Sequence, residues 1–182
     1  MKTYVTYAFA VLLCAVALVP AAAKSSTIES AGTDVAIALP LVAGGITVWK
    51  DDWRGTEQLF FDTGLTVGTA LLLKQVVREQ RPDHSDFKSF PSDTSALAFA
   101  PAQFLWDRYG WEYGVPAYAA AAFVGYSRVD AKRHHWWDVA ASAAISFGYS
   151  KLITTEFRPT KSLYTDLEAS PGGIYASVHY TW

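Results

Sequence analysis

The chain has 182 residues, 51% hydrophobic and 15% aromatic, with a formal net charge of −2. That length suits one domain with a sizeable core. The near-neutral charge gives no support to nucleic-acid binding, which needs a broad basic surface.

Residues 1–23 read as a secretory signal peptide. Lys2 supplies the positive start, Val5 to Val19 is nearly all apolar, and Pro20-Ala21-Ala22-Ala23 offers a small-residue cleavage site. An uncleaved N-terminal anchor is the alternative. Cys14, the one cysteine, lies inside this segment, so a processed chain has neither disulfides nor thiol chemistry. The expectation is an exported protein of the periplasm or cell envelope, associated with a membrane.

Residues 24–157 read as a helical domain. Lys24 to Thr33 is a polar lead-in, and Ser30-Ala31-Gly32-Thr33-Asp34 reads as a helix start. The uncharged run Val35–Trp49 contains Pro40 and Gly44-Gly45, which predict a kink or break. After the loop Lys50–Gly55, Glu57 to Gln80 is the longest helix candidate, stopped by Pro82. Three more apolar segments follow at Ser95–Trp106, Val115–Tyr126 and Val139–Ile153, the first two separated by a surface turn over Asp107–Gly114. The uncharged runs are about 11 to 15 residues long, against the ~20 a span usually needs. The fold class is therefore all-α: a bundle of about five to six helices, seated on a membrane face or, as the alternative, integral to it. Residues 158–182 change character. Ser170-Pro171-Gly172-Gly173 is a turn signal, and Ile174 to Trp182 alternates with period two, predicting a short hairpin packed on the bundle.

Three polar clusters sit at helix ends. In Lys74–Pro82, Lys74 and Arg81 stand two turns apart on one predicted helix face, with Arg78 between them. Ser89-Phe90-Pro91-Ser92-Asp93-Thr94-Ser95 opens an apolar helix whose N-terminal N–H groups form a natural anion site. In Ser127–Asp138, Arg128 offers a planar fork suited to phosphate oxygens. His134 and Asp138 lie about one turn apart, so the carboxylate can orient the imidazole.

Together these stretches resemble the type 2 phosphatidic acid phosphatase (PAP2) family, which shares its fold with vanadium haloperoxidases. The family signature is Lys-x6-Arg-Pro, then Pro-Ser-Gly-His, then Ser-Arg-x5-His-x3-Asp. The first and third motifs match at every signature position. The resemblance implies that Lys74, Arg81, Ser92 and Arg128 hold a phosphate, that His134 attacks phosphorus, and that Asp138 orients His134. It implies no metal and no cofactor, and a phosphorylated lipid as substrate at a membrane surface or bilayer.

The middle motif departs from the family, with Asp93-Thr94 in place of Gly-His. Thr94 cannot replace the histidine that protonates the leaving group, a loss worth about 10²–10⁴ in rate. Asp93 is expected to act as N-cap of the following helix, its carboxylate turned onto backbone N–H groups. His84, on the loop Asp83–Lys88, is the one nearby candidate for a substitute acid.

Two functions follow. One is metal-independent removal of phosphate from a lipid phosphate or diphosphate through a phosphohistidine. The other is a catalytically impaired relative that binds anions or lipid head groups. Vanadate-dependent halide oxidation uses the same pocket but also relies on the missing histidine.

Overall fold

The computed structural model describes residues 25–158, 162–170 and 173–181, with side chains over 27–158. The signal-peptide reading of residues 1–23 falls outside them. Five helices make up the described bundle: α1 (Ser25–Trp49), α2 (Trp53–Val76), α3 (Asp93–Tyr109), α4 (Trp111–Asp130) and α5 (Trp136–Ile153). Beyond them β1 (Ser162–Ser170) and β2 (Gly173–Thr181) pair antiparallel, with Ser170 opposite Gly173. Packing of this hairpin on the bundle concerns side chains outside the described residues.

Helix α3 is the hub, in contact with all four other helices. Such a helix has no free face, so its residues must be small or fully covered. Ala96, Ala98, Ala100, Ala102, Phe104 and Leu105 are all inaccessible to solvent. The neighbours approach closely where they are small: a methyl group on Gly32 of α1 would overlap Ser127 of α4, and one on Gly125 of α4 would press on Val139 of α5.

The polarity of α2 and α5 is inverted relative to a water-soluble bundle. Helix α2 buries Gln58, Asp62, Thr66, Ala70 and Lys74, and α5 buries Asp138, Ser142, Ser146 and Ser150. Residues four apart share one face, so each helix turns a polar ladder inward. Outside stand Phe60, Phe61, Leu65, Leu71, Leu72 and Val76 on α2, and Phe147 and Leu152 on α5. On α1, Ile37, Leu41, Val48 and Trp49 are likewise exposed. Among the described residues one stretch, Thr27–Trp49, is long and apolar enough to cross a membrane.

Several expectations are corrected. Helix α1 starts at Ser25 and runs unbroken through Pro40 and Gly44-Gly45. Helix α2 begins at Trp53, capped by Asp52, and ends at Val76, well before Pro82. Val77 is extended (φ −89°, ψ 107°), and Glu79 pairs with Lys88, its carbonyl accepting the Ser89 N–H at 3.0 Å. The backbone after Val77 is thus committed to a bridge rather than another helical turn. Arg78 and Arg81 therefore lie beyond the helix, not on a face shared with Lys74. The turn expected over Asp107–Gly114 shrinks to Gly110, whose φ of +89° favours glycine.

Arg108, inside that expected surface turn, is buried. Its guanidinium grips Asp52 bidentately, Nε to Oδ2 at 2.8 Å and Nη2 to Oδ1 at 2.5 Å. Nη1 donates to the Thr155 carbonyl at 2.6 Å, and Tyr109 donates to Asp52 at 2.7 Å. The start of α2, the end of α3 and the chain after α5 are locked together there. Breaking one side of such a pair strands a buried charge. Arg108→Met is expected to lower unfolding stability by about 3–5 kcal/mol. Adding Asp52→Asn should recover part of that loss, and denaturant unfolding of both variants checks it.

Candidate active site

The site lies at the end of the bundle opposite Arg108. Helix α2 delivers Lys74, the segment before α3 delivers Ser89 and Ser92, α3 begins with Asp93, α4 ends near Arg128, and α5 opens after His134. The α5 turn forms because Asp138, third residue of the helix, accepts the His135 backbone N–H at 2.8 Å. That reciprocal closure holds His134 just outside the helix with its ring buried.

Ser89 is the junction of the pair. Its carbonyl accepts from His134 Nδ1 at 2.7 Å, and its hydroxyl donates to Asp138 Oδ2 at 2.5 Å. A carbonyl has no hydrogen to give, so His134 carries its proton on Nδ1 and the neutral ring has its lone pair on Nε2. His134 Nδ1 stands 3.5 Å from Asp138 Oδ2, longer than an ordinary hydrogen bond. The carboxylate acts on the imidazole through charge and through Ser89. Burial works against ionisation of Asp138, but the contacts with His134, the Ser89 hydroxyl and the His135 N–H outweigh it and hold its pKa at about 2.

Each expected cation is already paired. Lys74, buried, meets Asp93 at 2.7 Å. Arg81 Nε meets Asp86 at 2.7 Å. Arg128, buried, donates Nη2 to the Glu29 carbonyl and lies 4.0 Å from the Glu29 carboxylate. Glu29 also takes Arg133 at 3.0 Å, tying the first turns of α1 to the loop before α5.

The expectation that Asp93 caps α3 is corrected. Ser92 is the N-cap, its hydroxyl accepting the Ser95 N–H at 3.3 Å, and Asp93 is the first helical residue, free to turn to Lys74. Burial alone would raise the Asp93 pKa. The hydrogen bond and charge of Lys74, with the nearby His134, outweigh that and hold it below the usual carboxylate value. Arg128 feels the same carboxylate, although burial dominates and lowers its own pKa.

The structure therefore brings Lys74, His134 and Arg128 near Asp93, with Asp138 on the Ser89 side of His134. Ser92 is sealed from solvent with its hydroxyl committed to the cap. Arg81 is tied to the neighbouring loop, its Nη1 reaching the Arg133 carbonyl at 3.4 Å. His84 is exposed on that loop with φ +60°, and its side chain makes no hydrogen bond to the site residues. A cavity of about 460 Å³ adjoins Lys74, lined by Arg78, Asp86, Phe87 and Lys88. Sequence reasoning missed Ser89, Glu29 and Asp86. The first stood in a quoted stretch, two residues before the Pro-Ser motif, without being given a role, whereas Glu29 gave no local signal because its partners stand about a hundred positions away.

The PAP2 superfamily model matches residues 58–160, a span that contains all three polar clusters. The chain is similar to the lipid A 4'-phosphatase of Helicobacter pylori strain J99, 29% identical over 148 residues and covering 75% of each chain. It is also similar to the lipid A 1-phosphatase of Porphyromonas gingivalis, 41% identical over 69 residues, 36% of this chain and 15% of that one. In fold it is similar to the crystal structure of Aquifex aeolicus LpxE, with a TM-score of 0.53 at 19% identity, covering 70% of this chain and 90% of that one.

The Ser89 bond to a buried carboxylate gives a direct expectation. Because the Asp138 pKa is depressed from 3.8 to about 2, its stabilising contribution is fully present above 3.8 and disappears as pH falls through 2. Ser89→Ala should cost about 1.5–3 kcal/mol at neutral pH, the range for hydrogen bonds to charged groups. It should also move acid unfolding to higher pH. In an Asp138→Asn background both effects should shrink, which denaturant melts at several pH values will show.

Proposed function

This chain belongs to the PAP2 superfamily, and we propose that it removes phosphate from a phosphorylated lipid at a membrane, with His134 as nucleophile. The observation that carries this reading is the Asp93 carboxylate held against Lys74, with His134 and Arg128 close enough for their charges to act on it. An anionic oxygen thus already lies against Lys74, one of the cations that the resemblance assigns to the phosphate.

The chemistry follows from the hydrogen bonds. With Nδ1–H given to the Ser89 carbonyl, Nε2 attacks phosphorus and the bond to the lipid oxygen breaks. Lys74, Arg81 and Arg128 spread the phosphoryl charge, the main source of stabilisation in such transfers. Asp138 stabilises the positive ring that forms. Water then attacks the phosphohistidine and frees phosphate. Thr94 supplies no acid, so the lipid oxygen takes its proton from water, and good leaving groups are favoured. Ser92 supports the site as the cap of α3. The apolar outer faces of α1 and α2 suit contact with a lipid bilayer, with Thr27–Trp49 as the segment that crosses it. The relatives make a lipid A phosphate the first substrate to test, followed by mass spectrometry for loss of one phosphate.

The second reading is an anion or head-group binder without turnover. It is favoured by the same Lys74–Asp93 pair, since a substrate must displace Asp93, and by the threonine in the acid position. Replacing Asp93-Thr94 by Gly-His separates the two. It should raise hydrolysis of alkyl and lipid phosphates by roughly 10²-fold where protonation limits the rate, with little gain on p-nitrophenyl phosphate. Adding His134→Ala should abolish the gain. A folded double replacement that binds phosphate and hydrolyses nothing would favour the binder.

A further inference from the structure

We infer that Glu79, His135 and Asp138 form a Zn²⁺ site at the edge of the active site, and that its occupation inhibits the enzyme. The donor atoms of the three side chains lie within 4.8 Å of one another. His135 Nδ1 stands 3.8 Å from Glu79 Oε1 and 3.6 Å from Asp138 Oδ2. Both separations are too long for hydrogen bonds. They are close to the roughly 3.3–3.4 Å edges of a tetrahedron whose ligands stand about 2.0–2.1 Å from zinc. The imidazole thus faces two carboxylates without bonding to either, its Nδ1 meeting the Ser89 hydroxyl at 3.4 Å.

Three further observations point to a ligand. Asp138 Oδ1 is sealed from solvent and has no hydrogen-bond partner, while Oδ2, the oxygen 3.6 Å from His135 Nδ1, accepts from the Ser89 hydroxyl and the His135 N–H, so the fully buried carboxylate has one oxygen unused. Glu79 is oriented from outside the cluster by the Trp137 indole, whose Nε1 donates to Oε1 at 2.6 Å. The His135 ring is held flat against Trp137, centroids 4.3 Å apart and planes 8° from parallel. Ligands fixed from behind in this way are what a metal site requires. Glu79 and His135 are both about a quarter exposed, which leaves an ion a route in and a solvent position for a fourth ligand.

Two carboxylates and one neutral imidazole balance the charge of Zn²⁺. Binding would draw Asp138 away from the Ser89 hydroxyl and from His134, and so weaken the support of the imidazolium. The inhibitory half rests on the phosphatase reading; the binding half does not.

The test uses the full-length protein titrated with ZnSO₄ by calorimetry, beside p-nitrophenyl phosphate hydrolysis with and without the metal. One Zn²⁺ per chain is expected, with affinity at least about tenfold weaker in Glu79→Gln and in His135→Ala. Glu79→Gln keeps an oxygen for Trp137, and His135→Ala keeps the position 135 backbone N–H for Asp138 while losing the 3.4 Å contact of Nδ1 with the Ser89 hydroxyl. Metal-free hydrolysis by Glu79→Gln should equal that of the parent, and Zn²⁺ should no longer inhibit either variant. Unchanged affinity in both variants would overturn the site. Binding through these residues without inhibition, or inhibition persisting in both variants, would overturn the regulatory half. A parent chain that binds Zn²⁺ through them yet hydrolyses nothing would overturn the phosphatase reading and leave the metal site standing.

Discussion

Everything in this bundle is arranged around a helix with no free face. Because α3 touches all four other helices, most of its side chains are small or covered, Trp106 being the large exception, and its polar ends find partners inside the protein. At the C-terminal end that partner is the Arg108–Asp52 fork. At the N-terminal end, the Ser92 N–H donates to the Asp138 carbonyl, and the Ser92 carbonyl accepts from Ser142. The same contacts that satisfy the start of α3 therefore fix its distance from the His134–Asp138 turn. Site geometry here is a consequence of helix packing, since a shift of α3 would have to break both sets of bonds together.

The inward polar ladders of α2 and α5 give the second constraint. A water-soluble bundle places Phe and Leu inside and Ser, Thr and Asp outside; these two helices do the reverse. Ser142 and Ser146 bond back to the carbonyls four residues earlier, at 2.9 and 2.8 Å, and Ser150 reaches Asp107 at 2.9 Å. Small hydroxyl residues satisfied in this manner let helices approach without a large apolar core, as bundles in contact with lipid do. The Ala-rich core and the exposed phenylalanines are then two sides of one design. The interior needs closeness rather than apolar volume, and the exterior supplies the apolar surface.

Much of this was legible in the sequence. The Ser-Arg-x5-His-x3-Asp spacing gave the turn that brings His134 near Asp138, because one helical turn separates them. Five apolar segments gave the helices. The shared face of Lys74 and Arg81 was misread, because helix periodicity was extended past Val77, where backbone pairing of Glu79 with Lys88 takes over. Asp93 was misread as a cap because Asp is a good capping residue; the preceding Ser92 takes that role, which releases the carboxylate. The four-residue ladders were present in the sequence as Gln58-Asp62-Thr66 and Ser142-Ser146-Ser150. Counting uncharged runs hid them, since serine and threonine are uncharged. Glu29 had no local signal, because its importance comes from chain crossings.

The resting site is balanced cation by cation: Lys74 with Asp93, Arg81 with Asp86, Arg128 with Glu29. These pairs are not equal obstacles to a phosphate. Asp86 is 44% exposed and Glu29 stands 4.0 Å from Arg128, and loose or solvated pairs are worth about 0–1 kcal/mol. A phosphate dianion can displace Asp86 with small loss, whereas Arg128 is buried and also holds the Glu29 carbonyl. Lys74 is buried and its contact with Asp93 is close, so that pair resists exchange, and displacing it leaves a carboxylate beside an incoming dianion. On the proposed reading, the position that departs from the family signature would thus also control entry. On the proposed phosphatase reading, Asp93 would set an affinity threshold for the anion and Thr94 a limit on which leaving groups can depart, both from the first turn of α3.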